Sequence, residues 1–322
     1  MKYFLLIILF CANVFAKDES KIIIAGPIAS VSHPILHMVQ ENVLKEFGKE
    51  LEFKLWNNPD ELRAIILKKE ADFIALPTNV AANLYNKGVD LKLLSVSIWG
   101  ILELLSRDKN LKTIEDFKNK EIIVPFRADM PDIILQALIR KAGFDPKKDF
   151  KLKYLATPVD AMQMMILRRA EHVLLAEPAV SIALRKSISF PVKILAPDIF
   201  RSINLQEEWG RLYNIESKIP QAGLAYIGDT KGKEELINKV LKEYEKAIYW
   251  YKTNKKDASL LVSKRLTMLD KDGLEDSIDF VRFEYIDSEN SKNDLEFFFK
   301  VLLENDPKLI GGKLPDEGFY YK

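Results

Sequence analysis

The chain has almost no cysteine: one residue, Cys11, in 322. That cysteine sits inside an apolar N-terminal run, so the remainder has no thiol for a disulfide, a thiolate metal site or a cysteine nucleophile. Histidine is scarce as well. The three present, His33, His37 and His172, form no HxH or HxxH pair, and no metal site is expected. A glycine-rich phosphate loop and a GxSxG turn are both missing, which removes two common signatures of catalysis. An excess of one charge is also lacking: Lys plus Arg is 48 and Asp plus Glu is 47, so nothing favours a polyanionic partner and nucleic acid is not expected.

What is present begins with "MKYFLLIILFCANVFA", one lysine, about a dozen apolar residues and the small residues Val14 and Ala16 ahead of polar "KDES". This predicts a secretory signal over residues 1–16, cleaved after Ala16; its apolar run is too short to cross a bilayer comfortably. Bulky Phe10 before Cys11 does not fit a lipoprotein cleavage box, so no lipid anchor is expected. Cleavage would remove Lys2 and leave 47 basic against 47 acidic side chains with no cysteine.

The mature part repeats itself. "KIII" (21–24) leads through "AGPIASVSHP" into a helical pattern, and "EIIV" (121–124) leads through "PFRADMP" into another. "NPDELRAIILKKEADFIALPTNVAANL" (58–84) then matches "TPVDAMQMMILRRAEHVLLAEPAVSIAL" (157–184) in order, in prolines and in an offset of about one hundred residues. Period and punctuation predict strands at 21–26, 51–56, 72–76 and 91–96 with helices at 33–47, 59–69 and 78–87. In the second copy they predict strands at 121–125, 151–155 and 172–176 with helices at 130–142, 158–169 and 178–186. Alternation of this kind makes parallel sheets with right-handed crossovers, hence two α/β lobes. "SVSIWGILELLSRDKNLKTIEDF" (95–117) reads as one strand crossing between them and "FPVKILAPDIF" (190–200) as the crossing back. The division is lobe 1 at 17–102 plus 197–322, with helices near 232–252, 255–266 and 292–304, and lobe 2 at 103–196.

The segments "LKKEADFIALPTNVAANL", "LKTIEDFKNKEIIVPFRADMPDIILQALIRKAGFD", "ILRRAEHVLLAEPAVSIAL" and "LLENDPKLIGGKLPDEGFYY" carry a family resemblance. The chain resembles periplasmic solute-binding proteins of ABC importers, within the nitrate, sulfonate and thiamine-pyrimidine-precursor group. The resemblance implies a two-lobed periplasmic-binding fold of the type II kind, joined by two crossing strands. It implies a monomer that captures a small molecule in the periplasm and delivers it to a permease and its ATPase, with no cofactor and no catalysis. Enzymes of cofactor biosynthesis on the same fold, of pyrimidine or menaquinone type, are the alternative, as is an occupancy sensor. The pyrimidine synthases use a cysteine-rich motif that this chain lacks.

In that architecture strand ends and helix N-termini face each other across a cleft, where unpaired N–H groups suit hydrogen-bond acceptors. Ser30, Ser32, Thr78 and Asn79 supply short polar groups that serve equally as helix caps. His33, at a helix start, is placed to donate to a ligand, and Trp99 to stack on one or to fill the seam. Arg127 offers a planar fork for a carboxylate or sulfonate. Asp129 caps the helix that follows, and Glu177 stands where the first copy has Leu76. Gln221 is a further candidate. Arg127 beside helix dipoles argues for an anionic group and Glu177 for a donor, so the ligand expected is zwitterionic, sulfonate- or carboxylate-bearing, or heteroaromatic.

Overall fold

The computed structural model describes residues 20–195 and 198–322. The expected signal at 1–16 lies outside them. The first repeat runs β1 (Lys21–Gly26), α1 (His33–Gln40), β2 (Glu50–Leu55), α2 (Pro59–Leu67), β3 (Phe73–Pro77), α3 (Thr78–Asn86) and β4 (Leu91–Ile98). After β5 (Leu102–Ser106) the second runs β6 (Glu121–Pro125), α4 (Met130–Lys141), β7 (Lys151–Leu155), α5 (Pro158–Ile166), β8 (His172–Ala176), α6 (Ala179–Ile188), α7 (Val192–Leu195) and β9 (Phe200–Asn204). The remainder is α8 (Leu205–Tyr213), β10 (Ala222–Ile227), α9 (Glu234–Thr253), α10 (Lys255–Arg265), α11 (Lys271–Ser277), β11 (Phe283–Asp287) and α12 (Lys292–Asn305).

Local chemistry sets these boundaries. Asn58 caps α2 by accepting from the amides of Asp60 and Glu61, Thr157 caps α5 from Asp160, and each is followed by a proline that the first helical turn tolerates. The helix expected at 33–47 stops at Gln40. Asn42 takes a left-handed φ of 44°, which asparagine tolerates, and the chain continues as a short 3₁₀ turn over Lys45–Phe47 beside a fully buried Leu44.

The sheets have orders β2-β1-β3-β10-β4-β11 and β7-β6-β8-β5-β9. The first five positions correspond strand for strand. In each sheet the fourth strand, β10 or β5, is antiparallel to both neighbours. Each of these is the strand that arrives from the other repeat. The sequence run expected to be one crossing strand is therefore two, β4 and β5, broken at Trp99–Gly100–Ile101. A side chain at Gly100 would overlap Gln206, with a Cβ 2.3 Å from its Cγ, so glycine is required where the crossing passes α8. The return at 190–200 also differs from expectation: β9 pairs with β5 in the second sheet, and the chain regains the first sheet only at β10. A boundary at 197 thus misplaces β9 and α8.

The two crossings lie side by side, Ile219 N donating to Trp99 O and Gln221 N to Ile98 O, both at 2.9 Å. One apolar cluster extends from Ile74 and Leu76 of the first sheet to Ile122 and Leu174 of the second, with Trp209 of α8 and Phe298 and Phe299 of α12 in it. The outer faces form separate clusters, one under α1, α9 and α10, the other under α5 and α6. On the far side α6 meets α11: Gly273 packs on Ile182, and Arg185 pairs with Asp276 at 2.7 Å and Asp272 at 3.2 Å. Among the described residues, no helix is long and apolar enough to cross a membrane.

Candidate ligand-binding cleft

Where the two sheets meet, strand ends and helix starts of both repeats line a half-open cavity of about 160 Å³. It is bounded by the loops after β1, β2, β3 and β6, by the start of α5 and by the crossing strands at Ile98, Ile101 and Gln221. Six of the chain's 14 prolines line it: Pro27, Pro59, Pro77, Pro125, Pro131 and Pro158. Proline collects there because each strand must stop and each helix must start, and a helix's first turn loses no bond to it. Its consequence is a wall with few N–H groups. Trp56, Phe126 and Met130 complete the apolar surface, and Asp129 is the one charged residue that lines it.

The loop 126–129 sorts its side chains. Phe126 and Ala128 take left-handed φ values of 57° and 62°, conformations that non-glycine residues hold only when the surroundings impose them. Asp132 imposes them here: its Oδ2 accepts from Ala128 N at 2.7 Å, while Oδ1 accepts from Gln136 at 2.8 Å and from the Tyr154 hydroxyl at 3.1 Å. Phe126 and Asp129 line the cavity, whereas Arg127 is exposed, with its guanidinium 5.3 Å from the centre of the Tyr154 ring. Arg127 lines a separate outer groove of about 720 Å³ with Arg140 and Lys151.

Of the ten residues singled out in the sequence, the cavity wall holds Asp129 and Gln221. Asp129 Oδ1 accepts from Met130 N at 2.8 Å, capping α4. Burial raises its carboxyl above the ordinary range, against the opposing effects of that bond and of Arg63. Gln221 is committed to the crossings: Oε1 accepts from Ile101 N at 3.0 Å and Nε2 donates to Gln206 at 3.3 Å.

The others stand behind the wall or away from it. Ser30 Oγ donates to the Glu177 carbonyl at 3.3 Å, tying the first repeat's loop to the second's. Ser32 is buried against Gly26, and its Oγ has no partner. His33 is wholly buried between the Ile28 carbonyl at 3.0 Å and the Tyr251 hydroxyl at 2.9 Å. A carbonyl only accepts, so Nε2 carries the proton and Nδ1 accepts from Tyr251. Burial pushes the imidazole down to about 4, with the Ile28 bond opposing, so it is neutral near pH 7. It is therefore an anchor for the loop, with no nitrogen left to offer a ligand. Thr78 donates to the Pro220 carbonyl at 2.5 Å. Asn79 lines a second outer recess, its Oδ1 unpartnered. Trp99 is fully buried in the seam, donating to the Glu284 carbonyl at 2.9 Å.

Glu177 is also spoken for. Oε1 accepts from Arg201 at 2.5 Å and from the Ser181 hydroxyl at 3.0 Å, and Oε2 accepts from Ser181 N at 3.0 Å. Arg201 lies 3.4 Å from Glu103 as well, and its guanidinium stacks 3.6 Å from the Phe280 ring across the lobe junction. Burial drives both acids upward, Glu103 to about 7, with Arg201 opposing. Glu103, Arg201 and Trp56 were not among the sequence candidates. Trp56 follows β2 immediately ahead of a proline-started helix, the same signal that marks the loops after β1 and β3. Arg201 and Glu103 have no local signal, because they meet only through the pairing of β5 with β9.

No protein-family model matches the sequence, and no curated protein does. Solved structures do match over most of their length. An ABC transporter from Parabacteroides distasonis superposes with a TM-score of 0.78 at 22% identity, covering 94% of this chain and 99% of that one. The periplasmic aliphatic sulphonate binding protein SsuA from Escherichia coli gives 0.71 at 14%, covering 95% and 93%. The periplasmic nitrate-binding protein NrtA from Synechocystis PCC 6803 gives 0.67 at 12%, covering 89% and 82%. With paired sheets, reciprocal crossing strands and a cavity at their junction, the chain has the two-lobed α/β fold of periplasmic substrate-binding proteins of ABC-type import systems.

Proposed function

We propose that this protein is the substrate-binding component of an ABC-type importer, exported to the periplasm by its N-terminal signal. It captures a small organic molecule between two lobes and hands it to a membrane permease driven by an ATPase. The observation that carries this reading is the cavity itself: it is lined at one point by loops from both repeats and by both crossing strands. A ligand there touches each moving part, so its binding free energy can favour the closed state over an open one. The wall supplies no nucleophile–base pair, and a binder needs none.

The test is native mass spectrometry of protein isolated from the periplasmic fraction of its own cells. The expected result is a chain beginning at Lys17, without lipid, carrying a small molecule that denaturation releases unchanged. Deleting the gene should then abolish uptake of that molecule. Chemical conversion of the bound molecule during incubation would overturn the reading in favour of an enzyme.

A further inference from the structure

Resting on the cleft as the capture site, we infer that its ligand is a single-ring, mainly apolar molecule bearing one amino or other hydrogen-donating group opposite Asp129. Small inorganic anions and sulfonates are rejected. The class follows from size, from wall chemistry and from what already occupies the helix starts.

A cavity of about 160 Å³ is close to the roughly 150 Å³ that suffices to hold benzene when the lining is apolar. It admits one ring with a short substituent. Trp56, Phe126, Met130 and the prolines offer that ring flat apolar contacts. Trp56 also keeps a buried Nε1–H without an acceptor, the one side-chain donor of the wall that nothing else uses.

Anion sites on this kind of fold draw on free N–H groups at helix starts and on cations nearby. Here four of those amides are taken. Met130 N donates to Asp129, Ala128 N to Asp132, Ser181 N to Glu177, and Thr78 N to the Gln221 carbonyl at 3.1 Å. Three of the four acceptors are the protein's own carboxylates, which repel an incoming anion. The cations are elsewhere. Arg127 lines the outer groove and, with Arg63, the recess on the other side of Asp129, and Arg201 is held between Glu177 and Glu103. An anion entering the cavity would lose its hydration and find at the wall Asp129, whose opposing charge, Arg63, stands in the adjoining recess. An ammonium or amino group would meet a carboxylate in an apolar wall, where a charge-assisted bond is strong.

Three probes with one ring separate the possibilities: benzylamine, benzyl alcohol and benzenesulfonate, titrated calorimetrically into the full chain at pH 7.5. Benzylamine should bind at least tenfold more tightly than benzyl alcohol, and benzenesulfonate should not bind. Asp129→Asn keeps the helix cap, since asparagine caps as well as aspartate. It should erase the benzylamine advantage while leaving benzyl alcohol unchanged. Benzenesulfonate binding as tightly as benzylamine, an unaltered benzylamine affinity in Asp129→Asn, or no binding of any probe would each overturn the inference. Should the molecule co-purified from cells be an anion released unchanged, the ligand class falls while the capture role stands. Conversion of that molecule would remove the capture role itself.

Discussion

In the first repeat the cleft-side loops are fastened by neutral groups: Thr78 donates to Pro220, and a neutral His33 sits between Ile28 and Tyr251. In the second repeat the corresponding loops carry carboxylates, Asp129 on the start of α4 and Glu177 on the start of α6, with Arg201 and Glu103 behind. The strand order is the same in both. Duplication thus preserved the apolar pattern that builds a sheet, while the loops, which no core constrains, diverged. One half anchors the crossing strands and the other places charge around the cleft.

The largest way to break that comparison is Arg201→Met. Removing the one cation between two buried acids leaves them uncompensated, which typically costs about 3–5 kcal/mol. Urea unfolding should show a loss of that size, partly restored by adding Glu177→Gln. A loss below about 1 kcal/mol would mean that both acids are already neutral and that the second repeat is no more charged than the first.

The two repeats should also titrate in opposite senses. His33 is depressed from 6.5 to about 4. The unfolded chain binds its proton first as pH falls, so its contribution is full above 6.5 and is lost progressively down to 4, by roughly 3 kcal/mol. Glu103 is raised from 4.5 to about 7, so the folded chain holds its proton longer. Its contribution is full below 4.5 and is lost as pH rises through 7. Stability profiles of His33→Asn and Glu103→Gln, each subtracted from the parent, should therefore slope in opposite directions between pH 4.5 and 6.5. Parallel slopes would remove the contrast.

Smaller still is Thr78→Val, which deletes the hydroxyl's bond to Pro220 at the returning crossing. About 1 kcal/mol of stability should go, as for an ordinary buried hydrogen bond. Hydrogen exchange at Gln221 N and Ile219 N should quicken, since these amides join the two crossings. Unchanged exchange there would mean that the first repeat does not hold the crossings.

Much of the fold was legible in sequence because strands and capped helices announce themselves locally. "EIIVP" and "HVLLA" are strands buried except at Glu121 and, in part, Ala176, and Asn58, Thr157 and Asp129 each stand ahead of a proline that opens a helix. That the chain crosses twice was legible, but the break in the first crossing and the place of the return were not. "SVSIWGILELLS" is apolar but for three serines and Glu103, and only Gly100 hints at a break. "FRSIN" conceals β9 behind Arg201, which pairs with Glu177, and Ser202, whose hydroxyl donates to the Leu111 carbonyl. The site was legible as a set of loops and not as a set of contacts. A polar residue at a strand end can turn into the cavity, cap its own helix or bond to a crossing strand, and nearby sequence does not distinguish these outcomes.

Arg127 makes that last point testable and carries the smallest expected effect. As a ligand clamp it would lose about 2–4 kcal/mol of affinity on truncation, the usual cost of cutting one partner from a buried charged hydrogen bond. The structure places it outside the cavity, exposed over Tyr154, in the groove with Arg140 and Lys151. An exposed cation–π contact contributes about 0.5–1 kcal/mol, and surface substitutions usually stay within about 0.5 kcal/mol. Arg127→Ala should accordingly leave both the melting temperature and the affinity for the co-purified molecule nearly unchanged, while Phe126→Ala, one residue earlier on the inner side, weakens binding. The pair reads out which way the loop faces when ligand is present. A loss of 2 kcal/mol or more for Arg127→Ala alone would show that binding turns the arginine inward. The division between an apolar cavity and a basic outer groove would then not hold once ligand is bound.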